Sequence, residues 1–123
     1  MPSLTRAAAS ILFSSSLALT IPTASTVRAE TYPSKPVRII VPYGAGGIAD
    51  VTMRLVADVI SKRFGQQFFI ENRPGAGGIV GMQAAREARP DGHTLVMLGG
   101  GLTIAKALFK SLPYDIETDF IPV

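Results

Sequence analysis

Three short apolar runs punctuate the chain: Val37–Val41, residues 67–71 and residues 94–98. Each is rich in Val, Ile, Phe or Leu and bounded by turn residues. None alternates strictly, which is the pattern of strands in a parallel sheet covered on both faces. A helical pattern follows each run. Over residues 50–64, Val51, Leu55 and Val59 recur at i+4 with Val56 and Ile60 beside them, and Arg54, Asp58 and Lys62 form a charged row on another face. Asp50 is expected to cap this helix and Gly65 to end it. A second helix is expected over residues 78–89, ended by Pro90, with Gly81, Ala84, Ala85 and Ala88 allowing close approach to the sheet. A third is expected over residues 103–110, and Phe120 to Val123 could open another strand.

The order βαβαβα predicts an α/β fold, a three-layer sandwich with a mainly parallel sheet. All 12 glycines lie beyond residue 43, and three clusters of them sit between strand and helix: Gly44, Gly46 and Gly47; Gly75, Gly77, Gly78 and Gly81; Gly99, Gly100 and Gly101. In a parallel sheet these loops leave one carboxyl edge, where open α/β sheets bind ligands. Helix N-termini there present unpaired N–H groups and partial positive charge, so an anion is the expected ligand.

Residues 1–29 read differently. Arg6 precedes a small and apolar stretch from Ala7 to Ile21, and Val27-Arg28-Ala29 is a cleavable end, so an export signal cleaved near Ala29 is expected. Three serines, Ser14 to Ser16, interrupt the apolar stretch and argue against a membrane span. In a bacterial setting the product would be periplasmic. Removing the leader also changes the charge. Arg6 and Arg28 leave with it, so of 12 basic residues ten remain against 9 acidic ones, and the net charge gives no support for nucleic-acid binding.

Candidate chemistry is sparse. With no Cys, thiol catalysis and thiolate metal sites are excluded, and a single His excludes a multi-histidine centre. No catalytic residue, metal site or cofactor is expected. Beyond Ala29 the serines are Ser34, Ser61 and Ser111, none in a Gly-x-Ser-x-Gly elbow. His93 reads as a surface turn residue, and Glu71 with Arg73 as a local ion pair. The competing reading is a dinucleotide site. Gly44-x-Gly46-x-x-Ala49 follows a strand, and Glu71 stands where a ribose-binding acid would. The export signal and the two further glycine loops argue against it.

Three segments together carry a resemblance: Val-Pro-Tyr-Gly-Ala-Gly-Gly-Ile-Ala-Asp at 41–50, Glu-Asn-Arg-Pro-Gly-Ala-Gly-Gly at 71–78, and Pro-Asp-Gly-His-Thr-Leu at 90–95. They resemble Bug-type receptors, the periplasmic substrate-binding proteins of tripartite tricarboxylate transporters. The segments at 32–36 and 112–115 are also similar to that family.

The resemblance implies a two-domain binding protein of the periplasmic type II-like class, expected to be monomeric at full length, with residues 30–123 as the N-terminal part of its first domain. It implies a small carboxylate held largely by backbone amides, and delivery to membrane subunits of the transporter. The matching positions are Tyr43, Gly44, Ala45, Gly46, Gly47 and Asp50 in the first loop and Pro74, Gly75, Ala76, Gly77 and Gly78 in the second; Gly100 in the third loop is a further candidate contact. Ala45, Ile48, Ala49, Ile79 and the pair Gly100-Gly101 depart from the family pattern, which implies fewer side-chain bonds to ligand, weaker binding or a more apolar substrate. The chain is expected to be a truncated receptor, and a nonfunctional remnant is a further alternative.

Overall fold

A computed structural model describes residues 31–123, so the leader expected over residues 1–29 lies outside the described residues. Strand β1 (Val37–Val41) leads to helix α1 (Ile48–Phe64), strand β2 (Phe68–Asn72), a 3-10 turn (Ala76–Gly78), helix α2 (Ile79–Arg86), strand β3 (Thr94–Val96) and two short helices, α3 (Gly100–Thr103) and α4 (Ala105–Leu108). The sheet order is β2-β1-β3, and both pairings are parallel, with Val37 beside Phe68 and Arg38 beside Thr94. The expected α/β fold with a parallel sheet is present. β1 is central and, apart from Arg38, buried, which is why its run of Val and Ile never alternates.

Successive side chains on a strand face opposite sides, and the core divides accordingly. Val37, Ile39 and Phe68 pack with Ala57, Met53, Ile60 and Leu95 under α1. Val96, the residue after Leu95, packs with Met82, Leu102 and Tyr114 on the other face. Helices therefore cover both faces, giving three layers.

Helix α1 differs from expectation in two ways. It is capped by Gly47 in extended conformation, and Asp50 lies inside the first turn rather than at the cap. Its carboxylate instead accepts the N–H of Gly46 at 2.7 Å. The helix is also rotated. Val51, Leu55 and Val59 are 51%, 67% and 65% exposed, while Asp50, Met53, Ala57 and Ile60 face inward. Two physical needs agree on the observed rotation. Ala57 lets the helix approach the sheet closely, and the same face brings Asp50 to Asn72 at the end of β2. The C-terminus is as expected: Gly65 takes φ 66° and donates its N–H to Ser61 O.

The second helix ends at Arg86, three residues before the expected end. The residue before a proline is driven out of helical geometry, and the chain turns ahead of Pro90. The expected third helix is two single turns broken at Ile104, with Leu102 and Ala105 buried. Thr103 Oγ1 donates to Gly100 O, which closes the first turn on itself. Residues 120–123 form no strand. Instead Leu112, Tyr114, Ile116 and Phe120 close the second core cluster, pinned where Arg86 donates to Pro113 O at 2.7 Å and pairs with Asp119 at 2.9 Å.

Candidate functional site

Because the sheet is parallel, the three glycine loops leave the same edge, and specific close contacts gather them. Pro42, fully buried after β1, is the wedge between the first two loops. A Cβ on Gly81 would stand 2.9 Å from Pro42 Cβ and 3.0 Å from Arg73 O; one on Gly78 would stand 2.9 Å from Leu102 Cδ2. A Cβ on Gly99 would collide with the phenol of Tyr43. Tyr43 thus ties the first loop to the third, while Leu102 ties the third to the second. These glycines are small because the protein itself needs the space.

Others are not. Gly44, Gly100 and Gly101 have no positive φ, and a Cβ on any of them would meet nothing within 4 Å among the described residues. All three are exposed. Their smallness leaves the backbone approachable from outside.

Among the described residues, the second loop is the most contorted segment. Gly75, Ala76, Gly77 and Gly78 all have positive φ, including Ala76 at 47°. A left-handed alanine costs about 1 kcal/mol or more, a strain of the kind that gathers at functional sites. Gly78 is buried and donates its N–H to Gly75 O at 2.8 Å. Pro74 to Gly77 face solvent.

One buried carboxylate organises the first loop. Asp50, 3% exposed, accepts from Gly46 N–H, from Asn72 Nδ2 at 3.0 Å and from Arg54, whose guanidinium lies 3.0 Å away. Asn72 Nδ2 also reaches Tyr43 O at 3.2 Å, and Arg54 donates to Asn72 Oδ1 at 3.1 Å. The Arg54 guanidinium, followed by the Gly46 amide, holds the Asp50 carboxyl down at about 2, against desolvation. Asp50 is therefore ionised at neutral pH and already paired. It shapes the loop, and it occupies the Gly46 amide. Beyond it, Ile48 and Ala49 open α1, where N–H groups have no intrahelical acceptor and the helix dipole is positive.

The first loop carries Tyr43, Gly44, Ala45, Gly46, Gly47 and Asp50; Gly44 to Gly47 are exposed, Tyr43 half-buried and Asp50 buried. Gly100 opens α3 at the same edge. Neither these loops nor Pro74, Gly75, Ala76 and Gly77 contain Lys, Arg or His. The hydrogen-bond donors they offer are main-chain amides and the Tyr43 phenol.

Other titratable groups lie apart or are engaged. Glu71 is bound by Arg38 at 3.0 Å and by Arg73, whose bond is first among the causes lowering its carboxyl. That leaves no open carboxylate for a ribose. His93 lies at the amino end of β3, opposite the loops. It is less exposed than a surface turn residue would be: its side chain is 12% exposed and packs edge-on to Tyr32. Among the described residues, no group of three His, Asp or Glu could hold a metal ion.

Sequence reasoning did not single out Pro42, Asn72 or Leu102, and it read Arg54 as part of a charged helix row and not as a partner of Asp50. The signal for Asn72 was available, because a polar amide at the end of a strand needs partners.

Known proteins resemble this chain in sequence and fold. The family model described as tripartite tricarboxylate transporter family receptor matches residues 52–123. A UPF0065 protein of Bordetella bronchiseptica is 45% identical over 108 residues, which cover 87% of this chain and 31% of that protein. MatC of Rhodopseudomonas palustris, solved with bound malate, is 40% identical with a TM-score of 0.71 over 75% of this chain and 32% of its own. The periplasmic binding protein BugD is 37% identical with a TM-score of 0.51, over 53% of this chain and 22% of its own. The chain thus spans about a third of the length of the curated relatives it matches.

Proposed function

The chain belongs to the tripartite tricarboxylate transporter receptor family, and from that premise we propose that it is an extracytoplasmic solute receptor whose glycine loops seat the carboxylate of a small acid. The observation that carries this reading is the gathering of three glycine loops at one sheet edge. There, Gly44, Gly100 and Gly101 leave the backbone open to solvent. Backbone amides at the start of α1 and in the second loop donate to the anion, with the helix dipole adding to the attraction. The site residues are Tyr43 to Gly47, Pro74 to Gly77 and Gly100 as contacts, with Asp50 and Gly78 holding the loops in shape.

In this reading residues 1–29 are a signal peptide, the product resides in the periplasm, and residues 30–123 are the first part of a two-domain receptor. It binds and releases a ligand without transforming it, acts as a monomer, and presents the acid to the membrane subunits of the transporter. Malate in MatC supports the carboxylate class. The dinucleotide alternative is disfavoured by the family and by the occupied Glu71 carboxylate.

The test is a titration of the isotope-labelled chain with carboxylates, followed by amide chemical shifts. Saturable shifts concentrated at Gly44 to Ala49 and Gly75 to Gly77 support the reading. Nicotinamide dinucleotide shifting those amides, with every carboxylate silent, overturns it.

A further inference from the structure

Ile48 opens α1 at the rim of the first loop with 89% of its surface exposed. It is the most exposed of the large apolar side chains on that helix, and it stands beside amides that lack helical acceptors. An aliphatic side chain left in water gains free energy from any apolar surface that covers it. Tyr43, half-buried, supplies further apolar surface to the same loop.

The charge pattern around Ile48 is equally selective. No cation occurs within the three loops; of the flanking arginines, Arg54 pairs with Asp50 and Asn72, and Arg73 pairs through Nε with Glu71. The one ionised side chain of the first loop is the anionic Asp50. A polycarboxylate brought against this side of the site would find amides for one carboxylate and no cation within the loops themselves for a second.

Resting on the receptor reading, we propose that Ile48 is a specificity-determining residue, selecting acids that pair one carboxylate with an apolar body, such as aromatic or short aliphatic monocarboxylates, over hydroxylated di- and tricarboxylates. The carboxylate meets the main chain, and the apolar body lies over Ile48.

The experiment ranks benzoate, hexanoate, malate and citrate by amide-shift titration of the chain, of Ile48→Ser, and of Leu55→Ser as a control lower on the same helix. The expected result is tighter binding of benzoate and hexanoate than of malate and citrate. Ile48→Ser should weaken the first pair by about tenfold, the size expected for losing one buried aliphatic contact, and leave malate and citrate unchanged. Leu55→Ser should alter neither pair. Tighter binding of malate or citrate, an unchanged ranking in Ile48→Ser, or an equal effect of Leu55→Ser each overturns the assignment while leaving the receptor reading intact. Silence from all four acids overturns both.

Discussion

Asn72 donates its side-chain amide to Asp50 at 3.0 Å, so the last residue of β2 grips the first turn of α1. Arg54 completes the triangle by bonding both. The bond explains the rotation of α1: the helix turns the row of Asp50, Met53, Ala57 and Ile60 to the sheet and leaves Val51, Leu55 and Val59 outside. It also carries the position of the first glycine loop, because Asp50 holds Gly46 N–H and Asn72 holds Tyr43 O.

The triangle should be visible in acid. Asp50 is held at about 2, below its ordinary 3.8, so its contribution to stability is complete above about pH 4 and is lost as pH falls through the folded value. Asp91, held at about 2 mainly by Lys35, adds a smaller loss at the opposite end of the sheet, because that pair is exposed and screened by solvent. Thermal melts between pH 5 and pH 2 should show Asp50→Asn less stable than the parent at pH 5, with the difference shrinking towards pH 2. Parallel curves would place the carboxylate outside the energetics of the fold.

Leu55 separates the two rotations of α1. If it faced the core, its loss would cost about 2–5 kcal/mol. At 67% exposure, Leu55→Ser should change stability by less than about 0.5 kcal/mol in urea unfolding. Ala57→Leu, at a site 4% exposed against the sheet, should destabilise by about 1–3 kcal/mol.

Two glycine substitutions should behave oppositely. Gly81→Ala puts a methyl against Pro42 and the backbone oxygen of Arg73, neither the far end of a flexible side chain, and should lose about 1–3 kcal/mol. Gly44→Ala meets open space at an ordinary φ and should melt with the parent while weakening carboxylate binding. Melting curves and the amide titration, run on both variants, distinguish the two roles.

Leu102 is fully buried between Gly78 and the second core cluster. Leu102→Ala should cost about 2–5 kcal/mol. The cavity lies beneath the second loop, so hydrogen exchange at Ala76 and Gly77 should accelerate more than at Gly44 in the same variant. Equal acceleration in both loops would mean that they open as one unit.

The strands, their order with the helices and the three glycine loops were legible because each depends on local pattern. Apolar runs bounded by turn residues locate β1 to its limits, and β2 within one residue. The rotation of α1 was not legible. Two apolar rows compete on that helix, and the choice between them is made by Asn72, 22 residues away from Asp50. The break at Ile104 escaped for a similar reason, since Leu102 and Ala105 are drawn into a core that the local pattern does not describe. In the loops, glycine content was visible, but which glycines answer to the protein's own packing became clear only from what surrounds them. The cap assigned to Asp50 failed because Gly47 needs no side chain to begin a helix, which freed the carboxylate to reach back to Gly46.

On the proposed receptor reading, the open space beside Gly44, Gly100 and Gly101 governs how the protein can change. These positions stand outside the interlocked contacts of Pro42, Tyr43 and Leu102, so a new side chain there alters what the rim presents without disturbing the scaffold. Variation in ligand taste and variation in foldedness are thereby carried by different codons. A lineage, or a randomised library confined to those three positions, can explore new acids while the parent stability is kept.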